Sequence, residues 1–162
     1  MNIFYLDRNP SRCAKDHCDQ HTVKMILEYA QMMSTAHRVC DGDNDIMYKV
    51  AHKNHPSTIW TRDSYDNYMW LFDLFHHLLV EYTARYGKIH GTSKLYIPLS
   101  KAPSNIPRNG FTCPPLCMPD IYKQDDHVEA YRDFYRHDKA QFARWNYSDP
   151  PEWFESQYER TA

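Results

Sequence analysis

Apolar residues recur along the first ninety positions with the spacing of α-helices. From about Arg12 to Val39 they follow a helical pattern without proline or glycine, which predicts one long helix. A second helix is expected between Ser64, a residue type common at helix N-caps, and Gly87, which suits a left-handed C-cap. This second helix should be core scaffold, because its apolar residues fall on one face. They are Tyr68, Leu71, Phe72, Phe75, Leu79, Tyr82 and Tyr86.

The remaining segments are shorter or irregular. Residues 2–6 form a brief apolar run that fits either a small strand or an extended arm against the core. Six prolines between Gly91 and Gln124 disfavour regular structure and predict a long loop, whose apolar residues indicate that it packs on the core. A third helix is expected from about Asp126 to Trp145. An aromatic tail follows, with Tyr147, Trp153, Phe154 and Tyr158.

The composition favours a single, mainly helical domain. The chain has 162 residues, a length typical of one domain, and 42% of them are hydrophobic, which is enough for a core. Only 4 glycines are present, too few for the tight turns of a many-stranded sheet. We therefore predict a mostly α fold: residues 1–162 form one compact helical bundle with a short extended N-terminal segment and a long, packed, proline-rich loop.

Charge and cysteine content limit the classes of protein to which this chain can belong. The formal net charge of −2 argues against tight, non-specific DNA binding, which depends on neutralising phosphates. No apolar run approaches the ~20 residues of a membrane span, and the first residues do not resemble a signal peptide. The 5 cysteines are odd in number and irregularly spaced, so free thiols and a cytoplasmic location are expected.

The first predicted helix carries a narrow polar stripe. On a helical wheel at about 100° per residue, its members fall within roughly 40° of a common direction. Apolar residues occupy most of the remaining circumference, the reverse of an ordinary surface helix. We therefore expect a buried helix whose stripe lines an internal cleft. The stripe consists of His17, His21, Lys24, Glu28 and Gln31.

Lys24 and Glu28 are the chemically strongest members of this stripe. They are four residues apart, so they can pair on one helix face, and a buried pair of this kind is suited to acid–base work. Taken singly, a lysine–glutamate pair is more often a solvated salt bridge, and a histidine is more often a polar boundary residue. Five such residues in register favour a site.

A metal site is the alternative use of the two histidines. His17 and His21 have the i,i+4 spacing of zinc ligands. The chain has no Cys-x-x-Cys pair to complete such a site, so we expect neither a metal nor another cofactor. The thiols that would have to meet the histidines are those of Cys13, Cys18, Cys113 and Cys117.

A second group of polar residues precedes the next helix. Asn54 and His55 stand immediately before Pro56, in a turn. Short polar residues in turns often only cap a helix. His55 can equally point into the cleft and contact a substrate.

These residues resemble motifs of the pyrimidine-dimer DNA glycosylases. The Asn54, His55 and Pro56 turn is similar to one in bacterial relatives of that family. His21, followed seven residues later by Glu28, looks like the first helix of the phage-type enzyme. The resemblance implies a single-domain helical bundle in which Glu28 is the catalytic carboxylate and His21 lies near the DNA. The chain is also similar to small uncharacterised proteins of tailed phages.

The chain departs from the pattern of that family in its amines and cations. The family's nucleophile is an α-amine exposed by removal of methionine, whereas a bulky Asn2 after Met1 usually preserves the methionine. The arginines that flank the family's glutamate are replaced by Leu27 and Gln31. Imine chemistry would then use another amine, and Lys24, one turn from Glu28, is the nearest in sequence.

Two functions of different classes follow from these residues. The first is a phage glycosylase/lyase acting on a damaged or modified pyrimidine, with DNA or a nucleotide as its partner. Glu28 and Lys24 would be catalytic, and His17, His21, Gln31, Asn54 and His55 would bind the substrate. The second is a non-catalytic phage accessory protein that binds a host protein, a small molecule or a nucleotide. A zinc-dependent hydrolase is a third, weaker hypothesis.

Overall fold

The computed structural model describes residues 1–154, and helices dominate this part of the chain. No strand occurs within it, so residues 2–6 form an extended arm, and the predicted mostly α bundle is confirmed. Two short 3₁₀ turns, Gly91–Leu95 and Asp120–Tyr122, accompany the helices. The α-helices are α1 (Pro10–Asp16), α2 (Asp19–Asp41), α3 (Pro56–Asp63), α4 (Tyr65–Tyr86), α5 (Tyr96–Leu99) and α6 (His127–His137).

The predicted first helix is two helices, so the single helix from Arg12 to Val39 is wrong. The backbone of His17 and Cys18 is extended, and it separates α1 from α2. The buried guanidinium of Arg85 stabilises the break by donating to the carbonyl oxygens of His17, at 2.8 Å, and Lys15, at 3.0 Å. The apolar periodicity continues across the break, so the sequence pattern does not reveal the break.

The central helix α2 packs against α3 and α4, and α1 packs against α4. The N-terminal arm lies beneath them, with Ile3 and Leu6 fully buried. The backbone N–H of Phe4 donates to the hydroxyl of Tyr29, in α2, at 3.1 Å. The arm is therefore anchored in the core, which places the start of the chain beside α2.

The prediction for α4 is confirmed at both ends. The hydroxyl of Ser64 caps the helix by accepting from the backbone N–H of Asp66 at 3.3 Å. Gly87 ends it in the left-handed region, with φ of 67°. Tyr68 and Phe75 in its apolar face are fully buried, as expected of scaffold. No helix of the described residues is long and apolar enough to cross a membrane.

The last third of the described chain differs in detail from the prediction. Pro98 lies within α5, in its first turn, where its missing N–H removes no helical hydrogen bond. The third predicted helix, α6, ends at His137 rather than near Trp145, and residues 138–142 form turns. Tyr158 of the predicted aromatic tail lies outside the described residues.

Candidate active site

A cleft of about 520 Å³ lies beside the N-terminal half of α2. The start of the chain closes one side of it, and the 3₁₀ turn of residues Gly91–Leu95 borders the other. Three members of the predicted stripe, Lys24, Glu28 and Gln31, line this cleft. Its full lining is Met1, Val23, Lys24, Leu27, Glu28, Gln31, His52, His90 and Thr92.

The carboxylate of Glu28 lies between two amines in this cleft. Its Oε1 is 3.6 Å from the α-amino nitrogen of Met1, and its Oε2 is 3.7 Å from Nζ of Lys24. The side chains of Glu28 and Met1 are 16% and 3% exposed, whereas the Lys24 side chain is 64% exposed. Oε2 is itself buried and accepts no hydrogen bond within residues 1–154. A buried oxygen left in this state is unusual in a native protein and favours a chemical role.

Two histidines stand in the turn before α3. His52 lines the cleft and adopts a left-handed backbone with φ of 48°, a conformation that is uncommon for residues other than glycine. His55 caps α3 by accepting from the backbone N–H of Ser57 at 3.1 Å. Burial lowers the pKa of His55, and the positive charge of the amino terminus lowers it further. Neither His55 nor Asn54 lines the cleft, and Asn54 is exposed.

The far wall of the cleft is tied to α2 and to a neighbouring loop. Nε2 of His90 donates to the carbonyl oxygen of Val23 at 3.1 Å. The hydroxyl of Thr92 is hydrogen-bonded to that of Tyr48 at 2.9 Å. The side chains of Val23 and Leu27 make the neighbouring surface apolar, although each is 40% exposed.

His17 does not line the cleft, contrary to the prediction that the stripe stays together. It lies in the break before α2 and is fully buried. Its Nδ1 donates to the carbonyl oxygen of Cys13 at 2.7 Å, and its Nε2 accepts from the hydroxyl of Tyr29 at 2.8 Å. Burial lowers the pKa of His17 to about 3, so the ring is neutral at physiological pH. The helical wheel was misleading because His17 is not in the helix.

His21 is also turned into the core rather than into the cleft. It is 4% exposed, and its ring stacks on Phe4 with centroids 4.1 Å apart. Its Nδ1 is hydrogen-bonded to the hydroxyl of Tyr135, in α6. Burial lowers the pKa of His21 to about 2. The expectation that His21 faces the cleft is therefore wrong, because α6 and the N-terminal arm cover it.

A family comparison agrees with this arrangement. A family model described as pyrimidine dimer DNA glycosylase matches residues 1–94, more than half of the chain's 162 residues. The chain belongs to this family. Every residue that lines the cleft lies inside the matched segment, so the match to the glycosylase family covers the whole lining of the cleft. No curated protein and no solved structure matches the chain.

The zinc alternative finds no support in this member of the glycosylase family. Within residues 1–154, no group of three histidine, cysteine or acidic residues is placed to hold a metal ion. Both ring nitrogens of His17 are already used in hydrogen bonds. The thiols are free, and those of Cys13 and Cys18 are buried beside the two histidines.

Of the six cleft residues of this glycosylase-family chain that were absent from the predicted site, Val23 and Leu27 belong to α2 and four lie outside it. These four come from distant parts of the sequence, so helical periodicity could not indicate them. The family's use of an α-amine was the one signal that pointed to Met1. His52 precedes the Asn54 and His55 turn and could have been included with it. The four residues outside α2 are Met1, His52, His90 and Thr92.

Proposed function

We propose that this protein is a DNA glycosylase/lyase that removes a damaged or modified pyrimidine, with Glu28 as its catalytic carboxylate. The observation that carries the proposal is the position of Glu28 between two amines, with a buried oxygen that accepts no hydrogen bond in the described chain. Membership of the pyrimidine dimer DNA glycosylase family supports the reaction class. The cleft is large enough for one nucleotide of a DNA strand.

The α-amine of Met1 is the nucleophile in this proposal, and Lys24 is its electrostatic partner. The Met1 side chain is 3% exposed and its amine faces the Glu28 carboxylate, which is 16% exposed, whereas the Lys24 side chain is mostly in solvent. A covalent intermediate formed on Met1 would therefore be better protected from water. The positive charge of Lys24 keeps the Glu28 carboxylate ionised until it accepts a proton from the Met1 amine.

The proposed chemistry begins when Glu28 takes a proton from the Met1 amine. The neutral nitrogen then forms a bond to C1′ of the sugar as the bond between C1′ and the base breaks. The base leaves with the electron pair of that bond and acquires a proton. Opening of the sugar ring yields an imine between Met1 and C1′, which borohydride reduces to a stable amine.

The other cleft residues position the substrate in this proposal. Val23 and Leu27 offer an apolar wall to the face of an extruded base. Gln31 provides an amide for the polar edge of the base, and His55 orients the substrate from the turn that also carries His52. His17 and His21 act at a distance, by holding α2 against the arm. Asn54 shapes the turn that carries His52 and His55.

The experiment is borohydride trapping on ultraviolet-irradiated DNA and on DNA that contains hydroxymethylpyrimidine. We expect a protein–DNA adduct, and peptide mass spectrometry should place it on Met1. Glu28→Gln should abolish the adduct and leave the fold intact, whereas Glu152→Gln, at an exposed carboxylate, should have no effect. A short extension before Met1 should also abolish it. An adduct that survives the extension and disappears in Lys24→Ala would identify Lys24 as the nucleophile.

Absence of an adduct, of strand nicking and of DNA binding at low salt would overturn the proposal. The second candidate function, a non-catalytic accessory protein, would then be favoured. The net charge of −2 is the observation that supports it, because a DNA-binding protein is usually basic. Its partner would be a host protein, a small molecule or a nucleotide.

A further inference from the structure

Lys94 belongs to the turn that borders the cleft, and its amine lies near an aromatic ring. It belongs to the 3₁₀ turn of residues Gly91–Leu95, two residues after Thr92, which lines the cleft. Its Nζ is 5.6 Å from the centre of the Tyr48 ring. The Tyr48 hydroxyl is bonded to Thr92, so the ring is fixed to the same turn that carries the lysine.

The segment that carries Tyr48 is braced from α2 by Arg38. The guanidinium donates to the carbonyl oxygens of Tyr48 and Met47, both at 2.8 Å. Thr92 is 4% exposed, so its hydrogen bond to Tyr48 is sheltered from water. The lysine therefore extends from a built surface, and binding a ligand there requires little ordering of the backbone.

Among the described residues, the cleft lining has no cation that is free of Glu28, because the Met1 amine is 3.6 Å from that carboxylate. The residues on either side of Glu28 that face the cleft, Leu27 and Gln31, carry no charge. Lys24 is paired with Glu28. Lys94 is exposed and makes no ion pair with a carboxylate in the described part of the chain, so its charge is available.

We propose that Lys94, held over Tyr48, binds a backbone phosphate of the DNA strand next to the reacting nucleotide. This inference rests on the proposed function and assigns the orientation of its substrate. The base meets the apolar wall of Val23 and Leu27, and the adjoining phosphate meets Lys94 across the cleft. The cation that α2 lacks is thus supplied by the 3₁₀ turn.

The test is the salt dependence of DNA binding. It is measured with a dye-labelled duplex that contains the damaged or modified pyrimidine for which the wild-type protein gives an adduct. Loss of one phosphate contact should reduce the slope of log K against log salt by about 0.9. We expect this change in Lys94→Ala, together with a several-fold weaker Kd, and restoration of the slope in Lys94→Arg. Lys101→Ala is the matched control, because Lys101 is an exposed lysine that lines a different groove with Tyr65.

Adduct formation at saturating DNA separates this inference from the proposed function. At saturating DNA, Lys94→Ala should reach the wild-type adduct yield, since Lys94 contacts neither the Met1 amine nor C1′ of the sugar. Wild-type trapping combined with an unchanged salt slope in Lys94→Ala would overturn the phosphate contact and leave the glycosylase proposal standing. No binding and no adduct in the wild-type protein would overturn both.

Discussion

Nε2 of His17 accepts a hydrogen bond from the Tyr29 hydroxyl, which in turn accepts one from the backbone N–H of Phe4. This chain of hydrogen bonds joins the break before α2, the middle of α2 and the N-terminal arm. It works only when the His17 ring is neutral, because Nε2 must accept. The position of the arm, and with it the Met1 amine, therefore depends on a buried neutral histidine.

Acid should destabilise the fold below about pH 6.5, the ordinary pKa of histidine. Burial lowers the pKa of His17 to about 3 and that of His21 to about 2, so the unfolded chain binds protons that the native chain does not. Stability is complete above pH 6.5 and falls as pH falls, by about 1.4 kcal/mol per pH unit for each proton. Burial raises the pKa of Asp16 to about 6, so between about pH 4 and 6 the native chain binds a proton there that the unfolded chain does not. This offsets the destabilising effect of one of the two histidines.

Urea unfolding at a series of pH values between 7 and 4 checks this prediction. The free energy of unfolding should decrease steadily with pH in the wild-type protein. His137→Gln should show the same dependence, because His137 is on the surface. A free energy that does not change over this range would show that the two buried histidines do not resist protonation.

Tyr29→Phe should destabilise the protein by about 1–3 kcal/mol, because it leaves Nε2 of His17 and the N–H of Phe4 without partners in the core. Thermal unfolding is the measurement. Tyr147→Phe, at a tyrosine that is 58% exposed, should leave the melting temperature unchanged. Equal melting temperatures for the two variants would mean that the buried chain of hydrogen bonds contributes no stability.

Arg85→Met should be more damaging, at about 3–5 kcal/mol, because it leaves a buried carboxylate unpaired. Arg85 donates to Oδ1 of Asp19 at 3.1 Å and to the hydroxyl of Thr22 at 2.9 Å, besides the carbonyls at the helix break. Chemical denaturation should show the loss. The control is Arg108→Met at an exposed guanidinium that stacks on Tyr65, and a comparable loss in both variants would contradict a specific role for Arg85.

Leu27→Arg should strengthen DNA binding and make it more sensitive to salt, because it adds a cation to the cleft. The slope of log K against log salt should become steeper by about 0.9, the change expected for one added phosphate contact. Leu27→Ala separates the added charge from the loss of the apolar side chain. A salt slope in Leu27→Arg that equals the slope in Leu27→Ala would indicate that DNA does not pass this wall.

Signals within a short stretch of sequence predict α4, but they do not predict the break that separates α1 from α2. A serine cap, an apolar face and a terminal glycine all lie within the α4 segment, so sequence alone predicts it. The break at His17 depends on hydrogen bonds from Arg85, which is 68 residues away. Spacing along the chain carries no information about such a partner.

The same limit applies to the candidate site. Lys24, Glu28 and Gln31 share a face because helical geometry alone places them there. His21 is removed from that face by Phe4 and Tyr135, which approach from the arm and from α6. Met1 enters the site because the arm is buried, a tertiary effect that no local pattern reports.

The family-matched segment depends on residues that follow it. The hydrogen bond between Tyr135 and His21 is one such contact. The first residue of α2 makes two more: the N–H of Asp19 donates to the carbonyl of Arg144, and its carboxylate accepts from the N–H of Asn146. A truncated protein ending at residue 94 would lose all three bonds and expose the back of the helix that carries Glu28. We therefore expect that the segment matched by the family does not fold on its own.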